Sequence, residues 1–267
     1  MTELTVAAIF KCESRYIAEW IAWHRMVGVG EFWLYDNDDQ PDPDTHRVLA
    51  PYIAAGIVSL VHLPGKKRQS NAYWEVRQRA ERQQDQTKWV AVIDLDEFLQ
   101  PMDGESILGV LDRLDGPDVA GVVGSWACFG SSRYYNPPRS CVGSFTFRPP
   151  LEFHWNRVIK QVFRAGRVTS HLSPHEFPAA PGFRVIDTLG ESHTGALRSG
   201  DGIWDGFRVA HYITRSKDDY YDKLRRGFAD QDVPRPDQWL ELDRNDELDM
   251  SLAQQLPELH NWLEKFR

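Results

Sequence analysis

Cysteine is scarce: three in 267 residues, Cys12, Cys128 and Cys141. They are too few and too scattered for a disulfide framework or a zinc motif, and they read as reduced thiols. No apolar run approaches the roughly 18 to 20 residues that a membrane span needs. The opening Met1-Thr2-Glu3-Leu4-Thr5-Val6 has neither a basic flank nor a cleavage site, so it does not read as a secretory signal. Positive charge is not in excess: 39 acidic against 31 basic residues give a net charge of −8. That balance argues against a nucleic-acid partner, which usually meets a clustered basic face. There is no internal repeat, low-complexity tract or long linker. These absences describe a cytoplasmic protein without a transmembrane segment.

What is present suffices for a packed core. Hydrophobic residues make up 42% and aromatics 12%, which excludes a disordered chain. Val6 to Phe10 suits a buried strand, and Ser14 is placed to cap a helix whose Ile17, Trp20, Ile21 and His24 share one face. On that stripe His24 reads as a core histidine. Gly28 and Gly30 stop the helix, and Phe32 to Tyr35 is a second strand running into the polar Asp36-Asn37-Asp38-Asp39. A helix over 45–55, a strand over 57–63, a helix over 71–86 and a strand over 89–93 follow. Strands alternating with helices predict βαβ units, an α/β fold and a mostly parallel sheet. Ligands of such sheets sit beyond the carboxyl ends of the strands, where Glu13, Asp36 and Asp94-Leu95-Asp96-Glu97 fall.

Beyond about residue 115 the pattern changes. Gly, Pro, Ser and aromatics crowd 121–150, which predicts short strands and long loops. Five glycines between Gly190 and Gly206 predict a mobile loop. Phe207 to Tyr212 returns to strand character, and the chain from Lys217 onward reads as helical, interrupted by Pro234, Pro236 and Pro257. The basic clusters Lys66-Lys67-Arg68 and Arg225-Arg226, near Lys223, suit a phosphorylated small molecule or an anionic polymer.

Two carboxylates two residues apart, Asp94 and Asp96, just past an apolar strand, can bear on one hard divalent cation. A solvated strand-end turn is the bland alternative. A phosphatase-type Asp-x-Asp-x-Thr is another, but Phe98 stands where that motif wants Thr.

Lys11-Cys12-Glu13, Glu19-Trp20-Ile21, His24, Gly28-Val29 and Tyr35-Asp36-Asn37 together resemble the amino-terminal signature of glycosyltransferase family 92 and of bacterial relatives near family 2. The resemblance continues through Asp94-Leu95-Asp96-Glu97-Phe98, Trp126, Phe129-Gly130 and Lys160-Gln161-Val162. It ends with His211-Tyr212, Ser216, Lys223 and Arg226-Gly227, about 220 residues in all. It implies a GT-A fold in a single domain over 1–267: a nucleotide-sugar-binding half (1–115), a smaller acceptor-binding half (116–215) and C-terminal helices (216–267). It also implies Mn2+ or Mg2+, a nucleotide-sugar donor, and a saccharide or glycolipid acceptor. Lipid-linked acceptors leave peripheral association with the inner membrane face open.

Carried over by residue, the resemblance makes Asp94, Asp96 and His211 metal ligands, although His211 alone would read as a packed strand-end histidine. It places Lys11, Glu13, Asp36, Asn71, Asp94, Lys160 and Lys223 at the donor. An Asx turn competes for Asp36, a helix cap for Asn71, and a solvated basic face for Lys223. Trp126 and His175 are expected at the acceptor, since sugar C–H faces pack on aromatic rings. An inverting transfer needs a base for the acceptor hydroxyl. Glu152, Glu176, Asp187, Glu191 and Asp205 are the downstream candidates, with Glu176 first and Asp205 second. The expected reaction is transfer of a hexose, galactose among the candidates, from a UDP-sugar to a saccharide. A noncatalytic saccharide- or nucleotide-binding protein of the same fold and a phosphohydrolase using Asp94 are the alternatives.

Overall fold

The computed structural model describes residues 2–228, 231 and 233–266. Three βαβ steps open the chain: β1 (Thr2–Phe10), α1 (Ile17–Met26), β2 (Glu31–Asp36), α2 (Pro43–Ala54), β3 (Val58–His62), α3 (Gln69–Arg82) and β4 (Thr87–Val92). Then come β5 (Glu97–Pro101), α4 (Ile107–Leu114), β6 (Val119–Cys128), α5 (Cys141–Ser144), β7 (Phe147–Arg148), β8 (Ile159–Arg164), β9 (Arg184–Asp187) and β10 (Phe207–His211). The last elements are α6 (Lys217–Arg226), α7 (Trp239–Leu242), β11 (Glu247–Leu248) and α8 (Leu256–Glu264). The main sheet runs β3-β2-β1-β4-β8-β6-β10-β5, with β9 pairing β6. β8 is antiparallel to both β4 and β6, and β5 is antiparallel to β10; the other pairings are parallel. This is the mixed α/β, mostly parallel class expected.

The strands read as unbroken apolar runs because helices cover both sheet faces. In β1, Leu4, Val6, Ala8 and Phe10 share a core with Trp20 and Ile21 of α1 and Leu49 of α2. Ala7 and Ile9 point the other way, against Ala72, Tyr73 and Val76 of α3. His24 is the core histidine expected. It lies 2.8 Å by Nδ1 from the Trp20 carbonyl and accepts from the Leu99 N–H by Nε2 at 3.1 Å.

Several local expectations fail for physical reasons. Ser14 does not cap α1: Tyr16 holds that position without a side-chain bond, and the Tyr16 and Ile17 N–H groups go to the Glu13 carbonyl. α2 starts earlier, because Asp42 accepts from the N–H groups of Asp44 and Thr45. The glycine-rich stretch after residue 120 hides β6, a ten-residue strand buried throughout. Its glycines are there for close packing: a Cβ at Gly124 would lie 2.4 Å from Phe207, and one at Gly121 would lie 2.7 Å from Gln161. The chain after Lys217 is only partly helical among the described residues, and 229, 230, 232 and 267 lie outside them. No helix of the described residues is long and apolar enough to cross a membrane.

Candidate active site

A cavity of about 690 Å³ opens beyond the carboxyl ends of the parallel strands. Its walls come from the segments after β1, β2, β3 and β4, from Trp126 on β6, from Pro174 and His175, from His211 on β10, and from α6. Asp94 and Asp96 are part of its lining. The sharp turn after β4 sets them there, with Glu97 at its far end accepting from the Asp94 N–H at 2.7 Å.

Each aspartate meets its own lysine. Lys160 Nζ lies 2.9 Å from Asp94 Oδ2 and 3.1 Å from Glu97 Oε2. Lys223 Nζ, from α6, lies 2.6 Å from Asp96 Oδ2. Enclosure opposes ionisation of both aspartates, but the ammonium groups override it: Asp94 stays below its usual value and Asp96 well below. Glu97, fully buried, goes the other way and is pushed up to about 8 by burial, which Lys160 only partly offsets. His211 Nε2 lies 3.6 Å from Asp96 Oδ2. Burial lowers the His211 pKa and keeps the ring neutral, and its Nδ1 is buried without a hydrogen-bond partner.

Among the described residues, no group of three or more His, Cys, Asp and Glu side chains is arranged to hold a metal ion. The lysines occupy the carboxylates instead. The donor chemistry nevertheless suits a hard cation: two carboxylates held ionised beside an imidazole held neutral, the protonation states that ligation requires.

The other expected residues divide between the cavity and its support. Lys11, Glu13 and Lys223 line the cavity. Glu13 is not free, for Arg215 reaches it at 2.6 Å and Arg226 at 3.0 Å. Lys160 does not line the cavity; it acts from behind Asp94. Asp36 is wholly buried and forms the competing Asx turn, accepting from the Asp38 N–H at 2.9 Å. Its neighbours Asn37 and Asp39 line the cavity in its place. Asn71 is exposed on α3 and away from the lining, where Gln69 stands instead.

On the remaining wall, Trp126 lies between two histidines, with ring centroids 4.1 Å from His211 and 5.5 Å from His175. Its Nε1 is buried and unpartnered. None of the five expected base candidates is among the lining residues. Asp205 is exposed, and Asp187 is ion-paired to Arg198 at 3.0 Å. Glu176 lies half-buried in a tight turn, bridged to Ser173, and it is Pro174 and the half-buried His175 of that turn that reach the cavity.

Sequence reasoning missed three supports. Arg215 is buried at φ +54, holds Glu13 and donates to the Leu95 carbonyl at 2.8 Å. Tyr73 joins Gln69 (3.0 Å) to Asp94 Oδ1 (3.4 Å). Glu97 stood inside the motif, but its role as the second partner of Lys160 had no signal in the spacing. Arg215 had only its place beside Ser216, and Tyr73 reads as one more apolar residue of a helix face.

The chain belongs to glycosyltransferase family 92, whose sequence model matches residues 4–182. A family 92 protein of Ricinus communis is 26% identical over 189 residues, which cover 69% of this chain and 33% of that protein. One from Oryza sativa subsp. japonica is 28% identical over 109 residues, 40% of this chain and 18% of the other. The match thus spans about a third or less of these relatives. Among solved structures, S. aureus TarS 1–349 covers 61% of this chain and 47% of its own, at a TM-score of 0.39 and 13% identity.

Proposed function

We propose that the protein transfers a hexose, galactose among the candidates, from a UDP-sugar to a saccharide acceptor with inversion at the anomeric carbon. The observation that supports this most is the Asp94–Asp96 pair lining one cavity together with Lys11, Lys223 and Arg226. A donor of this class has a diphosphate to hold, and cations placed around it stabilise the charge that develops as the sugar leaves. Held by Asp94, Asp96 and His211, Mn2+ or Mg2+ would supply Lewis-acid neutralisation of that charge.

The chain's own residues do the rest. Lys160 and Tyr73 fix Asp94, while Arg215 and Arg226 fix Glu13 beside the nucleotide end. Lys223, now on Asp96, is within reach of a bound diphosphate when it exchanges partners. The Trp126 face offers apolar packing to the acceptor sugar. Trp204, from the 190–206 segment, donates to the Trp126 carbonyl at 2.9 Å, so closure of that segment would act directly on the acceptor wall. Nothing in the site favours a phosphohydrolase: Phe98 is buried in the core, and Asp94 is engaged by Lys160.

Asp94→Asn and Asp96→Asn test the proposal. Each should lower transfer by about 10²-fold or more while the far-UV circular dichroism stays that of the parent. Full activity in both variants would overturn it.

A further inference from the structure

Inverting transfer needs a group that accepts the proton of the attacking hydroxyl. Four carboxylates are among the described residues lining the cavity, and each is already ion-paired. Glu13 is held by Arg215 and Arg226, Asp39 by Lys11 at 3.0 Å, Asp94 by Lys160 and Asp96 by Lys223. A carboxylate already engaged by a cation at such distances is not free to orient on an incoming hydroxyl. Two histidines also line the cavity. His211 faces Asp96 and belongs with the aspartates. His175 does not.

The geometry of His175 fixes which nitrogen carries its proton. Nδ1 lies 2.8 Å from the Ile159 carbonyl oxygen. A carbonyl can only accept, so Nδ1 bears the hydrogen, and the neutral ring keeps its lone pair on Nε2. The ring stands edge-on to Trp126, and both line the cavity. Its backbone is clamped on either side. The Ser173 Oγ accepts from the His175 N–H at 3.1 Å, and the buried amide of Gln161 both donates to and accepts from the Phe177 backbone at 2.9 Å. Ile159 and Gln161 both belong to β8, so one strand positions the imidazole and the turn that carries it. A neutral ring at the cavity wall, fixed through its donor nitrogen and its backbone, is what a base needs.

We infer that His175 Nε2 is the general base of the transfer, an assignment that rests on the inverting reaction proposed above. As the acceptor oxygen bonds to the anomeric carbon, the bond from that carbon to the diphosphate oxygen breaks, and its electron pair leaves with the nucleoside diphosphate. The hydroxyl proton passes to Nε2, and the resulting imidazolium returns it to water after release. Burial and the nearby Lys160 push the imidazole down to about 4, so the ring is uncharged throughout the neutral range. It takes the proton late, once bond formation has made the hydroxyl strongly acidic.

His175→Asn is the discriminating variant, because its amide nitrogen can still donate to Ile159 while no basic lone pair remains at the Nε2 position. With UDP-galactose and related UDP- and GDP-sugars in the presence of Mn2+, the parent identifies its donor by turnover. The variant should then bind that donor within about threefold of the parent by calorimetry, while kcat falls by about 10²- to 10⁴-fold. In His175→Ala, added imidazole should restore part of the lost rate, and His175→Gln stands in should His175→Asn fail to fold. His175→Asn turning over within about threefold of the parent overturns the assignment alone. So does loss of rate that merely follows loss of donor affinity and is not rescued by imidazole. A parent chain that turns over no nucleotide sugar overturns the transferase reading and, with it, this assignment.

Discussion

Lys160 is 1% exposed and touches two carboxylates. In the sequence it is a lysine flanked by apolar residues in a strand, a pattern that fits either a snorkelling edge residue or one aimed into the site. Its target is Asp94, and the distinction has a measurable consequence. Removing one partner of a buried ion pair leaves the other charge uncompensated, typically costing about 3–5 kcal/mol. Lys160→Met should therefore lower the urea midpoint markedly, which a lysine directed only at a bound donor would not do. His24 gives a second expectation at this scale. Burial pushes it down to about 3, below the ordinary value of about 6.5. Between those values the unfolded chain binds the extra proton. The His24 contribution to stability is therefore full above about pH 6.5 and falls by about 1.4 kcal/mol per pH unit below it. In urea titrations from pH 7.5 to 4.5 the His24→Gln variant should differ from the parent by about that slope, while the shifted Glu97, His175 and His211 contribute alike to both.

Among the elements, those whose signal is periodic were legible: β1 to β4 and the helices between them appear where alternating apolar runs and amphipathic stripes placed them. The Asp-x-Asp turn was legible for the same reason, since a buried strand ends just before it. β6 was not legible, because Gly121 and Gly124 have the same composition as a loop while serving as contact points for Gln161 and Phe207. Gly124→Ala should cost about 1–3 kcal/mol through overpacking. Gly200→Ala, where a Cβ meets nothing within 4 Å, should be nearly neutral, and denaturant midpoints of the two separate packing from turn formation. The base candidates failed for a related reason. A carboxylate's position after the Asp-x-Asp motif says nothing of which side of a tight turn faces the cavity, and in 173–176 that side belongs to Pro174 and His175.

Across the whole molecule, the site is assembled by contacts that no local pattern encodes. Lys223 reaches Asp96 across 127 residues and Arg226 reaches Glu13 across 213. Both cations come from α6, which the capping box of Ser216 and Asp219 starts directly after β10. Asp94, Asp96 and His211 could be recognised from motif order, whereas Arg215 and Tyr73 emerge only when the strands are laid side by side. For the proposed transfer, the cavity beyond β1 to β4 has to receive a nucleoside diphosphate sugar. The most direct test is the thermal unfolding of the intact chain against a panel of UDP- and GDP-sugars with Mn2+. At a hundredfold excess over Kd the cognate donor should add about 2.7 kcal/mol of stability, and Asp96→Asn should lose most of that gain. A parent chain whose melting temperature is unmoved by every nucleotide sugar in the panel would contradict it.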